Sequence, residues 1–118
     1  MTVDEFFYGR NSSKYLFDCI HAMVNGIGPA EIRVTKSQVV FRRRKPFAWV
    51  WMPGKYLHGK VAPLVLTFVF DHRDPLLRWK EIVEPSPGHF THHLELYSKS
   101  DIDDQVSAWL QYAWSEAA

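Results

Sequence analysis

The sequence contains no acidic residue between Glu31 and Asp71, although the same stretch carries eight Lys and Arg side chains. The formal net charge of +1 is therefore a sum of unlike parts: −2 on residues 1–31, +8 on residues 32–70 and −5 on residues 71–118. A basic segment interleaved with aromatic rings favours the binding of anions, nucleic acid or flat ligands. The acidic C-terminal third would repel a nucleic-acid backbone, so nucleic-acid binding is the least favoured of these.

Several features that define common classes of protein are absent. Cys19 is the only cysteine, which excludes an internal disulfide and fits a reducing compartment. The longest apolar stretch, Ala62 to Phe70, is roughly half the length that spans a bilayer. The residues after Met1 are acidic where a signal peptide would be basic. Because 47% of the residues are apolar and no low-complexity tract occurs, we expect a single folded cytoplasmic domain over residues 1–118.

Catalytic and metal-binding signals are also scarce. No carboxylate pair, phosphate-binding glycine loop or Ser–His–Asp arrangement stands out. The segment His89-Phe90-Thr91-His92-His93 is the only metal-like cluster. In a strand, His93 and Glu95 share a face, and His89 joins them only if the strand begins early. A metal site needs three or four converging ligands, so we predict no metal or other cofactor, with His89, His93 and Glu95 as the best metal candidates. The lack of a catalytic motif favours a non-catalytic protein and leaves an enzyme as an open alternative.

The periodicity of apolar residues changes from helical to alternating along the chain. Helical spacing predicts a helix over residues 12–27, which Asn11 or Ser12 can cap, after a shorter turn of helix. Alternation then predicts strands at Glu31–Thr35, Gln38–Arg43, Phe47–Met52, Leu64–Phe70 and His92–Tyr97. Leu64–Phe70 is apolar on both faces, which places it in the middle of the sheet. The segment Arg78–Glu84 fits either an edge strand or an irregular crossing.

The C-terminal segment carries the clearest helix pattern. Ser100-Asp101-Ile102-Asp103 resembles a capping box, and an apolar stripe follows it as far as Ala113. The order is therefore a helix, about five strands and a helix, without strand–helix–strand crossovers. This order predicts an α+β fold with a mostly antiparallel meander sheet and both helices on one sheet face.

The third predicted strand separates two kinds of side chain. Phe47, Trp49 and Trp51 occupy one face, and Ala48, Val50 and Met52 occupy the other. If the small residues lie beneath the helices, the tryptophans form an apolar surface on the open face that needs a ligand, a loop or a second subunit. The reverse assignment makes the tryptophans ordinary core residues.

Two groups of cations lie near these rings in the sequence. In the run Arg42-Arg43-Arg44-Lys45, Arg42 and Arg44 share one side of a strand end, where guanidinium groups suit forked contacts with carboxylate or phosphate. A solvated hairpin tip is the alternative interpretation of the same run. The segment Arg78-Trp79-Lys80 adds two further cations and another indole.

Five segments resemble an uncharacterised bacterial domain family, and the likeness covers nearly the whole chain. They are residues 31–44, Phe47–Gly54, Arg78–Pro85, His92–Leu96 and the Asp-rich final helix. The family implies no established activity. A broader group with a similar plan includes frataxin-like iron chaperones, which implies helices packed against one sheet face. Those chaperones use an acidic surface, whereas Asp101, Asp103 and Asp104 are sufficiently explained here as a helix cap.

The leading hypothesis from the sequence is a small cytoplasmic, non-catalytic binding module that takes an anionic or aromatic ligand on the open sheet face. Its predicted ligand-binding residues are Arg42, Arg44, Trp49, Trp51, Arg78, Trp79 and Lys80. A homodimer that pairs the same apolar faces without a ligand is the first alternative. Salt-dependent binding of nucleic acid by the basic segment is the second.

Overall fold

The chain forms one six-stranded antiparallel sheet with its helices packed on a single face. A computed structural model describes residues 1–118. The helices are α1 (Val3–Phe6), α2 (Asn11–Ile27) and α3 (Asp104–Glu116). The strands are β1 (Glu31–Val34), β2 (Val39–Arg42), β3 (Pro46–Trp51), β4 (Leu64–Phe70), β5 (Glu81–Ser86) and β6 (His89–Leu96). This architecture confirms the predicted α+β class. No helix is both long enough and apolar enough to cross a membrane.

The strand order is β1-β2-β3-β4-β6-β5, which departs from a simple meander at one place. After β4 the chain crosses to the sheet edge, forms β5 there, and turns at Pro87-Gly88 to return as β6 beside β4. Gly88 has a positive φ of 77°, which glycine adopts without steric cost. The sheet has six strands rather than about five because Glu81–Ser86 is an edge strand. β4 lies in the middle of the sheet, as its two apolar faces predicted.

The helix ends differ in part from those predicted. Arg10 precedes α2 without a side-chain cap, so the expected cap by Asn11 or Ser12 is wrong. Asp103 caps α3 by accepting a hydrogen bond from the Val106 N–H at 3.1 Å, as its position predicted. The capping box lies earlier than expected, in a short 3-10 turn over Lys99–Asp101 that Ser98 and Asp101 close.

The core lies between the sheet and the helices. Its most buried side chains, each at most 1% exposed, include Phe17 and Ile20 from α2, Phe41 and Val50 from the sheet, and Leu110 from α3. Each such side chain contributes about 1.5–3 kcal/mol through burial of apolar surface. Ala48, Val50 and Met52 belong to this covered face, with at most 1% exposure. The helices therefore cover the small residues of β3 and leave Trp49 and Trp51 on the opposite face.

Phe47 departs from the row that its alternation with Trp49 predicted. A register shift between Phe41 and Arg42 interrupts the pairing of β2 with β3 at this end. Phe47 is 4% exposed, and its ring centroid lies 6.2 Å from that of Phe41 in the core cluster. A bulge changes the direction of side chains locally, so strict alternation fails there.

Asp74 holds the crossing between β4 and β5. Its Oδ1 accepts hydrogen bonds from the Leu76 N–H at 2.9 Å and the Trp79 Nε1–H at 3.3 Å. Its Oδ2 accepts from the Trp109 Nε1–H of α3 at 3.1 Å, and its own N–H donates to His92 Nε2 at 3.0 Å. One residue thus joins the crossing loop, the sheet and α3.

Asp74 and His92 are the two titratable members of this cluster, and the shifts of their pKa values make the folded state more stable at neutral than at acidic pH. Burial raises the pKa of Asp74, but the hydrogen bonds from Leu76, Trp79 and Trp109 more than offset it, so the pKa lies below its ordinary value. Burial lowers the pKa of His92, whose Nδ1–H donates to the Phe90 carbonyl. The cluster therefore consists of a carboxylate and a neutral imidazole.

Replacing Asp74 with Ala should lower the free energy of unfolding by about 2–4 kcal/mol, because two buried indole N–H groups lose their acceptor. Urea unfolding at pH 7 measures this change. Asp71→Ala is the control, since the Asp71 side chain is exposed and its only side-chain hydrogen bond is to His72; it should change stability by less than about 0.5 kcal/mol. Equal losses in the two variants would contradict the role given to Asp74.

Acidification should destabilise the protein through His92. The unfolded state has the ordinary histidine pKa of about 6.5 and binds the proton first, so stability falls as the pH drops through that value and levels out below the folded-state pKa. Urea unfolding between pH 7.5 and 5.5 should show a smaller decrease for His92→Gln than for the wild type. His58→Gln, in an exposed loop, should leave the decrease unchanged; an unchanged decrease in His92→Gln would rule out this origin.

Candidate functional site

The face of the sheet without helices carries a groove of about 390 Å³, here called the tryptophan groove. Its floor and walls are formed by Trp49, Trp51, Tyr56, Thr67, Thr91 and His93. Ser37 and Gln38 from the β1–β2 turn and Val69 from β4 complete its lining. The antiparallel register creates this grouping, because Thr67 lies opposite Trp49 on one side and His93 on the other.

A loop after β3 forms one wall of the tryptophan groove. Pro53–Lys55 makes a single 3-10 turn, and Tyr56 follows with its ring centroid 6.4 Å from that of Trp51. The Tyr56 hydroxyl donates to the Ser37 carbonyl at 3.4 Å, and Lys55 Nζ donates to the Lys36 carbonyl at 3.2 Å. These contacts hold the loop against the β1–β2 turn, where both indoles remain half-buried.

A chain of hydrogen bonds runs across the floor from Trp51 through Thr67 to His93. The Trp51 Nε1–H donates to Thr67 Oγ1 at 3.0 Å, and Thr67 Oγ1 lies 2.7 Å from His93 Nδ1. An indole N–H can only donate, so Thr67 Oγ1 accepts from it and has its own hydrogen free. His93 Nδ1 is the only other side-chain partner of Thr67 Oγ1, and we assign the hydroxyl hydrogen to this contact, so that Nδ1 accepts and the imidazole proton is on Nε2.

The charge of the imidazole agrees with this assignment. Burial lowers the pKa of His93, and Glu81, directly opposite on β5, only partly counteracts this effect. The neutral ring packs edge-on against Trp51, with centroids 5.8 Å apart. The tryptophan groove therefore has no formal charge on its floor at neutral pH.

Two residues that line the tryptophan groove, Trp49 and His93, each have an N–H group without a partner within the protein. His93 Nε2 and Trp49 Nε1 make no side-chain hydrogen bond, whereas Trp51, Trp79, Trp109 and Trp114 each donate through Nε1 to a protein oxygen. No fully buried side-chain nitrogen or oxygen lacks a partner, so both free N–H groups are accessible from outside. They are available for hydrogen bonds to a bound molecule.

The predicted basic residues lie outside the tryptophan groove. Arg42 is half-buried at the end of β2 opposite Glu31, and Arg44 is exposed. Lys80 is nearer, but its Nζ lies 3.4 Å from the Glu95 carboxylate, which balances its charge. Arg42 and Arg44 thus contribute to the field around the open face, without touching the indoles.

The rest of the basic run closes the C-terminal end of α3. The Arg43 guanidinium lies 3.5 Å from the centroid of the Trp114 ring and donates to the Trp114 carbonyl at 3.2 Å. The backbone N–H groups of Arg44 and Lys45 both donate to the Ala117 carbonyl, at 3.1 and 3.2 Å. Positive groups at a helix C-terminus satisfy free carbonyls and the helix dipole. This part of the run therefore has a structural use that the sequence did not indicate.

The structure does not bring Arg78 and Trp79 to the tryptophan groove. Arg78 Nη1 contacts both oxygens of Asp103, at 2.9 and 3.0 Å, and Nη2 donates to the Asp101 carbonyl, so Arg78 fastens the crossing loop to the start of α3. Trp79 is 8% exposed on the helix-covered face, with its ring centroid 4.2 Å from that of Trp109. Arg78 therefore joins the crossing loop to α3, and Trp79 packs in the core.

The metal candidates do not converge. His93 and Glu95 share the open face, as predicted, but His89 lies at the far end of β6 and lines a different cavity. No group of three or more His, Cys, Asp or Glu side chains is close enough to hold a metal ion. His92, the neighbour of His93 along the chain, is fully buried on the opposite face of the sheet.

A second cavity of about 490 Å³ adjoins the tryptophan groove at the end of the sheet. Trp49 and Val69 border both spaces, and Tyr112 and Glu116 reach the second cavity from the last turns of α3. Burial, together with the nearby Asp71 and Glu116 carboxylates, raises the pKa of Tyr112. Sequence reasoning missed this cavity and also Thr67, Tyr56 and Gln38 of the groove, because strand register and loop packing assemble them.

The chain is a small α+β domain whose sheet face without helices carries the tryptophan groove. Residues 3–117 match the family described as a domain of unknown function, DUF5655, and the chain belongs to this family. No curated protein and no solved structure matches the chain. The resemblance to an uncharacterised domain family is thus confirmed, whereas the bacterial origin and the frataxin-like plan stay predictions.

The protonation of His93 can be read directly by NMR. We expect the ring ¹⁵N shifts at pH 7.5 to show an unprotonated Nδ1 and a protonated Nε2, because the Thr67 hydroxyl donates to Nδ1. In Thr67→Val, which removes the hydroxyl and keeps the shape, the two tautomers should become mixed. A protonated Nδ1 in the wild type would contradict the hydrogen-bond chain.

Proposed function

We propose that the protein is a small non-catalytic binding module of the cytoplasm that holds a flat, aromatic or anionic ligand in the tryptophan groove. One observation carries the proposal: two half-buried indoles border a groove on the only sheet face without helices. Concave, mostly apolar sites with a few directed polar groups are the usual form of small-molecule binding sites.

Stacking is the main source of affinity in this proposal. A planar ring stacked on an aromatic side chain gains about 1–3 kcal/mol per contact. Contacts with both Trp49 and Trp51 would therefore contribute about 2–6 kcal/mol, which corresponds to dissociation constants from tens of millimolar down to about 40 μM. The rings are partly held in place already, since Trp51 is hydrogen-bonded to Thr67 at 3.0 Å, which limits the entropy lost on binding.

The charges around the open face favour an anionic or neutral ligand over a cation. The lining of the tryptophan groove contains no carboxylate. Residues 32–70, which supply β2 to β4 and all of β1 except Glu31, carry eight cations and no acidic side chain. Such a field raises the local concentration of anions. The nearest carboxylates, Glu81 and Glu95, lie on the β5–β6 side, where Lys80 neutralises Glu95.

Catalysis by the Thr67–His93 pair is disfavoured by geometry. The two groups are close enough for a nucleophile and its base, at 2.7 Å. However, Thr67 is only 6% exposed, and its oxygen already accepts the Trp51 indole N–H, which competes with its use as a nucleophile. The pair therefore fits a role in fixing the imidazole better than a role in attack.

A homodimer is the second candidate, and exposed apolar side chains on the same face favour it. Val69 and Val83 are each 42% exposed on the open face. Pairing two such faces would cover them together with the indoles. A stable dimer needs about 800 Å² from each partner, which would have to include the charged β5–β6 side.

Titration with 2-naphthoate, a planar aromatic anion, tests the proposal. Saturable binding measured by calorimetry should weaken at least about tenfold in Trp49→Ala, because one stacking surface is lost. Tyr15→Ala removes an exposed aromatic ring from α2 and should leave the affinity unchanged. Urea unfolding checks that both variants are folded.

Two outcomes would reject the binding module. One is the absence of saturable binding, and the other is binding that Trp49→Ala leaves unchanged. A sedimentation mass of two chains that persists on dilution, with no binding of naphthoate, would favour the dimer instead.

A further inference from the structure

Two side chains that line the tryptophan groove, Trp49 and His93, carry an N–H group that can only donate, whereas the Tyr56 hydroxyl can both donate and accept. Trp49 Nε1–H can only donate, and His93 Nε2 carries the proton because Nδ1 accepts from Thr67. Neither group bonds to a protein atom, and both are accessible. The Gln38 amide and the Thr91 hydroxyl, which also lack side-chain partners, can both donate and accept, so they do not discriminate.

From these donors we infer that the ligand is a small planar ring whose edge carries hydrogen-bond acceptors, such as a carbonyl or a carboxylate, and that an ammonium group is rejected. This inference rests on the proposed function and narrows it to one chemical class. His93 is then the residue that determines specificity, and Thr67 is a positioning residue that fixes its tautomer.

The rejection of cations needs its own argument, since Trp49, Trp51 and Tyr56 together resemble an aromatic cage for ammonium groups. Such cages normally pair the rings with a carboxylate, and none lines the tryptophan groove. An ammonium group would also face two N–H donors that offer it no lone pair. The surrounding excess of Lys and Arg adds repulsion at longer range.

The size of the discrimination follows from the cost of unpaired polar groups. A site whose donors are left without acceptors loses about 1–3 kcal/mol for each, which corresponds to roughly five- to 150-fold in affinity. Discrimination of this kind is stronger than what shape alone gives for similar rings. It therefore separates ligands that share a ring and differ only in one substituent.

The free small molecule is favoured over a base within a nucleic-acid strand. Residues 71–118, which supply β5 and β6, carry a net charge of −5. Exposed Glu81 and half-buried Glu95 lie on the open face beside His93 and would repel a phosphate chain that continued across the sheet. A single ring avoids this contact because it needs only the groove itself.

Three naphthalenes with the same ring test the inference on the full-length protein: 2-naphthoate, 2-naphthamide and 2-naphthylmethylammonium. We expect the first two to bind at least about tenfold more tightly than the third. His93→Phe keeps a ring and removes the donor, so it should weaken binding of the acceptor probes about tenfold and leave the ammonium probe unchanged. His93→Gln, whose amide N–H can replace Nε2–H, should restore part of the difference.

Matched variants separate specificity from structure. His89→Phe changes a histidine at the other end of β6, outside the tryptophan groove, and should leave the ratio of the three affinities as in the wild type. Thr67→Val should reduce that ratio less than His93→Phe does, because one tautomer still donates. The ratio of the three probe affinities in the wild type tests the inference by itself, so a variant that fails to fold does not prevent a decision.

The outcomes distinguish this inference from the proposed function. Equal affinities for all three probes, insensitive to His93→Phe, would overturn the inference and leave the binding module intact. Preference for the ammonium probe would overturn it in favour of an aromatic cage. No binding of any probe up to about 10 mM would overturn both. Oligouridylate that binds more tightly than uridine, with a steep salt dependence, would overturn the assignment to a free small molecule.

Discussion

The helices pack against one face of the sheet, so the side chains of each strand divide between a dry core and a face with no helical cover. On β3 this division places Ala48 and Val50 under the helices, where small side chains leave room for Phe17 and Phe41. The indoles of Trp49 and Trp51 are then excluded from the core, although aromatic rings usually belong there. The tryptophan groove is a direct consequence of this one-sided burial.

The crossing between β4 and β5 completes the arrangement, and Asp74 is its fixed point. A half-buried carboxylate is stabilised by hydrogen bonds, and here two indoles and one backbone N–H supply them. The contacts join the loop to α3 and place β6 between β4 and β5. Because β6 lies beside β4, His93 comes opposite Thr67, and the groove acquires its second donor. The contacts of Asp74 on one side of the sheet thus support the strand order that brings His93 into the tryptophan groove on the other side.

Charge and aromatic surface, which the sequence mixes in one segment, separate in space. Arg43 stacks on Trp114 at the end of α3, Arg42 lies opposite Glu31 at the end of β2, and the floor of the tryptophan groove is uncharged. In the proposed binding module, charge therefore acts on the open face at a distance, and directed N–H groups recognise the ligand. A neutral floor also keeps the cost of desolvation low when a flat ligand enters. This separation of charged groups from the aromatic groove fits the proposed binding module better than a nucleic-acid surface.

The sequence alone determined the α+β class, five of the six strands, α3 with its Asp103 cap, and the common face of Trp49 and Trp51. These follow from local periodicity and capping, which act within a few residues. Tertiary structure alone decided that the helices cover Ala48 and Val50, that Arg78 binds Asp103 while Trp79 belongs to the core, and that Trp51, Thr67 and His93 form one hydrogen-bond chain. Those outcomes depend on strand register and on contacts between residues 16 to 26 positions apart, which no local pattern encodes.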